Sequence, residues 1–154
     1  MPGRSSKPQK SPYEQALSLL ARREHSRREL AQKLERKGQA REAVVEALDQ
    51  LLAEGYQSDE RFGEMLVRSR ISQCYGPVRI RAELRSHGLD DRLVEALLAD
   101  AGQQTDWSKL AEAALHHRYG DAVSDDFVEC SKHAGFLQRR GFPADIARRA
   151  SSLD

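Results

Sequence analysis

Hydrophobic residues recur along this chain three and four positions apart, the spacing that places them on one face of an α-helix. The pattern begins at Tyr13 and continues in short segments, most of which begin at a serine, aspartate or proline or end at a glycine. No stretch shows sustained alternation of hydrophobic and polar residues, so β-strands are not expected. The pattern therefore predicts an all-α protein made of many short helices.

Three glycines set the register of an internal repeat. Gly38, Gly88 and Gly141 lie 50 and then 53 residues apart, and each follows a leucine by four positions. Each glycine is expected to end the second helix of a three-helix unit in the left-handed conformation. This period predicts three tandem three-helix, helix-turn-helix-like repeats in an elongated, curved array. The predicted divisions are a disordered basic tail and three repeats: 1–12, 13–57, 58–104 and 105–154.

The apolar stripes also predict which residues form the core. Val44, Val45, Leu48, Leu51 and Leu52 mark the third helix of the first repeat. The aromatic residues on such stripes are expected to be buried rather than to act as exposed stacking platforms. They are Phe62, Trp107, Phe127 and Phe136.

Composition narrows the choice of function without deciding it. Among the 154 residues the formal net charge is only +1. Residues 1–58 carry 11 basic and 8 acidic side chains, whereas residues 59–105 and 106–154 each carry 7 and 8. Bulk attraction to nucleic acid is therefore not expected, and any such binding would need a local basic face.

Cysteine usage and hydropathy favour a cytoplasmic protein. Cys74 and Cys130 lie far apart in the sequence, which indicates free thiols in a reducing compartment. The chain has no signal-like apolar start, and no run approaches the roughly 20 apolar residues that a membrane helix needs. Neither export nor membrane insertion is expected.

Catalytic and metal-binding patterns are weak. The five histidines are scattered, and Cys130-x-x-His133 lacks a second ligand pair at zinc spacing. No glycine-rich phosphate loop, nucleophile elbow or HExxH motif is present. The acidic pairs lie where helix starts favour negative charge. We therefore expect no enzyme activity, no metal and no cofactor.

Arginine is concentrated between Phe62 and Gly88 and in the residues that flank this stretch, with no lysine. Gly76-Pro77 is expected to open a helix there, since proline at the first helical position sacrifices no helical hydrogen bond. Arginine suits planar recognition of phosphates and carboxylates, but pairing such as Glu64 with Arg68 would instead make a solvated face. Both interpretations stay open for Arg61, Arg68, Arg70, Arg79, Arg81, Arg85 and Arg92.

Three motifs resemble those of the RecX family of bacterial recombination regulators. They read Phe62-x-x-x-x-Val67-Arg68-Ser69-Arg70, then Tyr75-Gly76-Pro77-x-Arg79-Ile80-Arg81-x-Glu83-Leu84-x-x-x-Gly88, and Phe136-Leu137-x-x-Arg140-Gly141-Phe142. With the threefold repeat, the resemblance covers about Tyr13 to Leu153. Two positions depart from the family pattern. Cys74 stands in a linker where the family often has glycine, and Gly63 stands where a small residue such as alanine is usual.

The resemblance implies a regulator that binds the RecA recombinase and its filament on single-stranded DNA. Such a protein lodges in the filament groove, limits filament growth and promotes disassembly. It thereby suppresses strand exchange, ATP hydrolysis and the co-protease activity that drives the DNA-damage (SOS) response. We expect a monomer whose contacts with RecA or DNA are made by Arg68, Arg70, Tyr75, Arg79, Arg81, Arg85, Arg139 and Arg140.

Several alternatives remain at this point. Tyr75 has two open roles, stacking on a base or partner side chain and simple packing between helices. Weak direct DNA binding, capping of the filament end and binding along its side all stay open. The main alternative function is a helix-turn-helix transcriptional regulator, although the predicted third helices Glu42–Leu52 and Arg92–Leu98 are acidic and apolar rather than rich in base-reading groups. A metal-dependent nuclease lacks the ligand cluster it needs.

Overall fold

The computed structural model describes residues 8–121 and 125–153, and all regular secondary structure in those ranges is helical. The all-α architecture is therefore confirmed. Three helices fall in each predicted repeat. Their bounds are α1 Pro12–Leu20, α2 Arg27–Arg36, α3 Arg41–Ala53, α4 Asp59–Ser72, α5 Pro77–Ser86, α6 Asp91–Gln104, α7 Trp107–Tyr119, α8 Phe127–Arg139 and α9 Ala144–Ala150.

Local sequence signals explain where these helices begin and end. The Ser26 side chain accepts a hydrogen bond from the Glu29 amide and caps α2, while Gly76 precedes Pro77 at the start of α5. The register glycines all adopt the left-handed conformation expected of a helix end. Their φ angles are 87° at Gly38, 76° at Gly88 and 95° at Gly141.

The first helix begins slightly earlier than the sequence pattern predicts. Ser11 accepts a hydrogen bond from the Glu14 amide, so α1 starts at Pro12, inside the predicted tail. The Gln9 side chain also donates to the carbonyl oxygen of Lys37, at 2.9 Å. Residues 9–12 therefore take part in the fold, whereas residues 1–7 of the predicted tail lie outside the described residues.

The chain forms two compact units that divide between Phe62 and Gly63. The core of the first unit comes from α1, α2 and α3, and is centred on Leu30, Leu34, Val44, Leu48 and Leu51. The second unit contains the second repeat from Gly63 onwards and the whole predicted third repeat. Cys74, in the turn between α4 and α5, packs into the cluster that α7, α8 and α9 form with Ala111, Ala114, Leu137, Phe142 and Ala147.

The burial predictions hold for some residues and fail for others. Phe62 is buried, and Trp107 and Phe136 are half-buried, but Phe127 is 72% exposed. The prediction for Phe127 is wrong because this residue is the first of α8, at an end of the helix left open to solvent. Val45 and Leu52 are also exposed, since each lies about 100° around α3 from a buried neighbour.

Two turns meet through their backbones inside the second unit, and we call this contact the turn–turn joint. The amide of Gly76 donates to the carbonyl of Arg140 at 2.8 Å, and the amide of Val78 donates to that of Gly141 at 2.9 Å. A Cβ atom at Gly76 would lie 2.4 Å from the Gly141 oxygen, and one at Gly141 would lie 2.4 Å from Arg79 Cβ. Both positions therefore require glycine for close approach, and Gly141 requires it for its left-handed conformation as well.

The two departures from the RecX pattern lie at tight positions. Cys74 has φ of 61°, the left-handed region in which glycine carries no steric penalty, while its side chain is buried in the cluster described above. A Cβ at Gly63 would lie 2.4 Å from Cδ1 of Leu97. An alanine there would require the flexible Leu97 side chain to move.

Replacing Gly141 by alanine should destabilise the second unit more than replacing Gly38 destabilises the first. Both glycines have positive φ, but a Cβ at Gly38 meets nothing within 4 Å. Gly38→Ala should therefore cost only the conformational penalty of about 1 kcal/mol, and Gly141→Ala about 2–4 kcal/mol because the backbone must also move. Urea unfolding followed by circular dichroism measures both, and equal losses would contradict the turn–turn joint.

Candidate binding surface

One carboxylate holds an arginine at the end of α4 and another at the start of α5. Glu83, on α5, accepts from Nε of Arg70 on α4 at 2.6 Å and from Nε of Arg79 at 3.1 Å. Arg79 lies four residues before Glu83, so both side chains project from the same face of the helix. Glu83 thus links the end of α4 to α5 and fixes two of the predicted site residues beside each other.

A second carboxylate holds the arginines further along α5. Arg81 makes a bidentate contact with Glu95 of α6, with nitrogen–oxygen distances of 2.9 and 3.2 Å. Arg85 lies 3.5 Å from Asp91 and 4.0 Å from Glu95. Hydrogen bonding from Arg81 lowers the pKa of the Glu95 carboxyl, because it stabilises the charged form.

These ion pairs leave the arginines accessible. The side chains of Arg81 and Arg85 remain 38% and 54% exposed, and Glu95 is 53% exposed. Exposed pairs of this kind typically contribute about 0–1 kcal/mol, because solvent screens the charges and side-chain entropy is lost. A phosphate or carboxylate of a partner can therefore replace Glu95 at small cost. Arg81 and Arg85 lie four residues apart on one face of α5, and we call them the α5 arginine row.

Arg68 differs from the other predicted residues of α4 and α5. It is exposed and lines a groove with Glu64, Val67, Leu97 and Asp100, between α4 and α6. The expected pairing with Glu64 is not formed, and among residues 8–121 and 125–153 no carboxylate lies within ion-pair distance of Arg68. Its charge is therefore not neutralised by a neighbouring side chain.

The Tyr75 ring is in contact with two arginine side chains of the protein itself. The guanidinium carbons of Arg79 and Arg140 lie 4.2 and 3.8 Å from the centre of the Tyr75 ring. Arg140 also donates to the carbonyl of Gln73, in the same turn. This arrangement favours the packing role of Tyr75 over stacking on a base, and it brings predicted residues from the second and third repeats together.

Arg139 does not join this stack. It is exposed at the end of α8, with its guanidinium folded towards Gly135. Two carboxylates essential to the arrangement, Glu83 and Glu95, were not among the predicted site residues. Glu83 was visible in the sequence through its spacing from Arg79, whereas Glu95 meets Arg81 only through the packing of α5 against α6.

The described residues show no metal or membrane feature. Within residues 8–121 and 125–153, no three or more His, Cys, Asp or Glu side chains are grouped to hold a metal ion. Cys74 and Cys130 are both buried. In the same part of the chain, every helix is too short or too polar to span a bilayer.

Comparison with known proteins identifies the repeats. Models of the first, second and third three-helix domains of RecX match residues 13–51, 58–98 and 105–150. The fold and these domains define the chain as an all-helical regulatory protein of tandem three-helix repeats. It belongs to the RecX family.

Individual relatives agree with this assignment over nearly the whole chain. The regulatory protein RecX of Stenotrophomonas maltophilia strain K279a is 42% identical over 153 residues, which cover 99% of this chain and 93% of that protein. That of Halorhodospira halophila is 47% identical, covering 89% and 84%. The crystal structure of RecX from Lactobacillus salivarius shares 24% identity and a TM-score of 0.71, covering 93% and 94%.

Removing the ring of Tyr75 should destabilise the second unit, whereas removing only its hydroxyl should not. Tyr75→Leu loses both cation–π contacts, and at about 0.5–1 kcal/mol each the expected loss is about 1–2 kcal/mol. Tyr75→Phe keeps the ring face and should unfold within about 0.5 kcal/mol of the unchanged protein. Chemical unfolding compares them, and equal stability of the two variants would argue against the stacked arrangement.

Proposed function

We propose that this protein binds the RecA recombinase on single-stranded DNA and inhibits it. Bound in the filament groove, it limits filament growth, promotes disassembly, and so reduces ATP hydrolysis, strand exchange and co-protease activity. Membership of the RecX family of regulatory proteins supports this proposal. We further propose that it acts as a monomer in the cytoplasm, and the burial of both cysteines is compatible with a reducing compartment.

The observation that carries the proposal is the α5 arginine row. Arg81 and Arg85 are oriented by Glu95 and Asp91, while both side chains stay exposed. Because these side chains are already oriented, they lose less conformational entropy when a partner binds. Their internal ion pairs are weak and are readily exchanged for stronger intermolecular ones. The surface that such a row fits is acidic, such as a carboxylate-rich face of RecA or the phosphates of its DNA.

Two further contacts would extend this interaction. Arg68 is exposed on α4 without an ion-pair partner among the described residues, and Arg139 is exposed at the end of α8. Several weak contacts distributed over separate repeats can give strong overall binding to a filament, since each protomer presents the same surface again. No single arginine then needs to bind tightly by itself.

Major-groove reading of duplex DNA, as in a transcriptional regulator, is less compatible with the helices present. In the first repeat, the third helix exposes Glu42, Glu46 and Asp49, which would repel the phosphates that flank a groove. The third helix of the second repeat exposes Asp91, Glu95 and Asp100. These helices lack the concentration of basic and amide groups that base recognition requires.

Reversing both charges of the α5 arginine row should weaken inhibition strongly without unfolding the protein. Arg81→Glu with Arg85→Glu replaces attraction by repulsion, and we expect at least about tenfold weaker inhibition, or a binding loss of about 1.4 kcal/mol. The assay is RecA ATP hydrolysis on single-stranded DNA, with this protein added below the RecA concentration. Far-ultraviolet circular dichroism confirms that the variant is folded.

The matched control for that experiment is Arg36→Glu with Arg41→Glu. Both arginines are exposed in the first unit, and the change in net charge is the same. The control should inhibit as the unchanged protein does. Normal inhibition by the folded Arg81/Arg85 variant would remove the row from the site, and unchanged hydrolysis with excess unmodified protein would refute RecA inhibition altogether.

A further inference from the structure

A second cationic surface lies on the third repeat, away from the α5 arginine row in sequence. Lys132, Phe136 and Arg139 recur four and then three positions apart along α8, so they share one side of that helix. Arg118 and Tyr119, at the end of α7, lie beside them. We call this surface the α7–α8 face, defined by Arg118, Tyr119, Lys132, Phe136, Arg139 and Arg140.

Ring contacts establish that these side chains are neighbours. Arg118 and Lys132 place their cationic groups 5.4 and 5.9 Å from the centre of the Tyr119 ring. The Tyr119 and Phe136 rings meet edge to face at 5.6 Å, and the Arg140 guanidinium lies 5.8 Å from the centre of Phe136. Cations and half-buried aromatic rings therefore alternate across one continuous surface.

The charge of this face is not neutralised by the part of the chain that the structure describes. No described carboxylate lies within 4.0 Å of the cationic groups of Arg118, Lys132, Arg139 or Arg140. The nearby acids that form ion contacts are directed elsewhere: Asp121 contacts His116, and Glu129 lies 3.8 Å from His133. The face thus presents four positive charges without an internal counterion.

A pocket of about 350 Å³ opens at this face. Cys74, Ala114 and Phe136 give it an apolar lining, and Arg118 and Arg140 contribute positive charge. It is also lined by the polar side chains of Ser72, Gln73 and His117. An apolar pocket with amide, imidazole and guanidinium groups can hold a planar heterocycle and the phosphate attached to it.

Interaction with the helix dipoles explains the position of only some of these cationic residues. Arg118 and Arg139 lie in the last turns of α7 and α8, where positive charge stabilises the helix dipole. Lys132 lies in the N-terminal half of α8, where that effect does not apply. The Nε atom of Arg140 is buried and has no hydrogen-bond partner among the described residues. These two features point to an anionic ligand.

We propose that the α7–α8 face binds single-stranded nucleic acid. Arg118, Lys132 and Arg139 contact successive phosphates, and a base enters the pocket against Phe136. This proposal adds a DNA-binding surface to the proposed function, and its biological role rests on that function. It gives DNA contact to the third repeat and leaves the α5 arginine row of the second repeat for the protein partner.

The chemistry of the face favours nucleic acid over an acidic protein segment. A carboxylate-rich peptide would need only the cations, whereas the exposed edges of two rings and the apolar pocket suit unstacked bases. Single strands are favoured over duplexes because only an unpaired base can leave its neighbours and enter a pocket.

The test measures binding of the full-length protein to fluorescein-labelled oligodeoxythymidine by fluorescence anisotropy, without RecA. Arg118→Glu with Lys132→Glu should weaken binding at least about tenfold and reduce the salt slope by about 1.4, or 0.7 for each lost phosphate contact. The control, Lys109→Glu with Arg148→Glu, alters two exposed cations of the same repeat by the same charge. It should bind nearly as the unchanged protein does.

A second measurement avoids mutation altogether. Photocrosslinking of the unchanged protein to oligodeoxyuridine carrying 5-bromouracil should label peptides within residues 115–140. Equal losses in the two double variants, or crosslinks confined to other parts of the chain, would overturn the proposal. A third result would also overturn it: the Arg118/Lys132 variant loses binding to poly-glutamate but still binds the oligonucleotide. That result would assign the face to an acidic protein segment.

The design separates this proposal from the proposed function. Because the assay contains no RecA, its failure leaves RecA inhibition untouched. Conversely, a protein that binds the oligonucleotide through the α7–α8 face but does not alter RecA hydrolysis would refute inhibition and retain the nucleic-acid site.

Discussion

Backbone contact between two turns, one at Gly76 and the other at Gly141, determines how the second unit is built. Two amide–carbonyl hydrogen bonds cross the joint, and neither glycine has room for a Cβ atom. The close approach brings Arg140 to the ring of Tyr75, where Arg79 already lies. Residues that resemble a family signature therefore have a structural task, which is to hold the second and third repeats together.

The same residues also decide which arginines are free for recognition. Arg140 and Arg79 are committed in part to Tyr75, and Arg70 is drawn inwards by Glu83. Arg81 and Arg85 instead meet carboxylates on an exposed edge, where the attraction is screened by water. The arginines of this cluster look alike in the sequence but differ in the folded protein. Some maintain the fold, and others are available to a partner.

Much of the fold could be predicted because its signals are local. Glycines at helix ends, Ser26 as a cap and Pro77 as a first helical residue act within a single turn of the chain. Exposure at Phe127 and Leu52 could not be read in the same way, since an apolar stripe does not reveal whether a neighbouring helix covers it. Burial depends on packing between segments that are distant in sequence.

The candidate site also has a part that could be predicted from local sequence and a part that depends on packing. The concentration of arginine and the spacing of Arg79 from Glu83 are evident from the residues alone. The contact of Arg140 with Tyr75 joins positions far apart in the chain, and so does the pairing of Arg81 with Glu95. The charge of the α7–α8 face was missed because it depends on the absence of nearby carboxylates, although Lys132 and Phe136 at helical spacing offered a signal.

The turn–turn joint also fixes a distance between surfaces. Because it couples the second and third repeats, the α5 arginine row and the α7–α8 face belong to one compact unit. Once one surface is bound, the other is held at a high effective concentration near any ligand that extends across both. A fixed separation selects ligands by length. A ligand whose own repeat matches the spacing can contact both surfaces and binds more tightly, whereas any other ligand can contact only one.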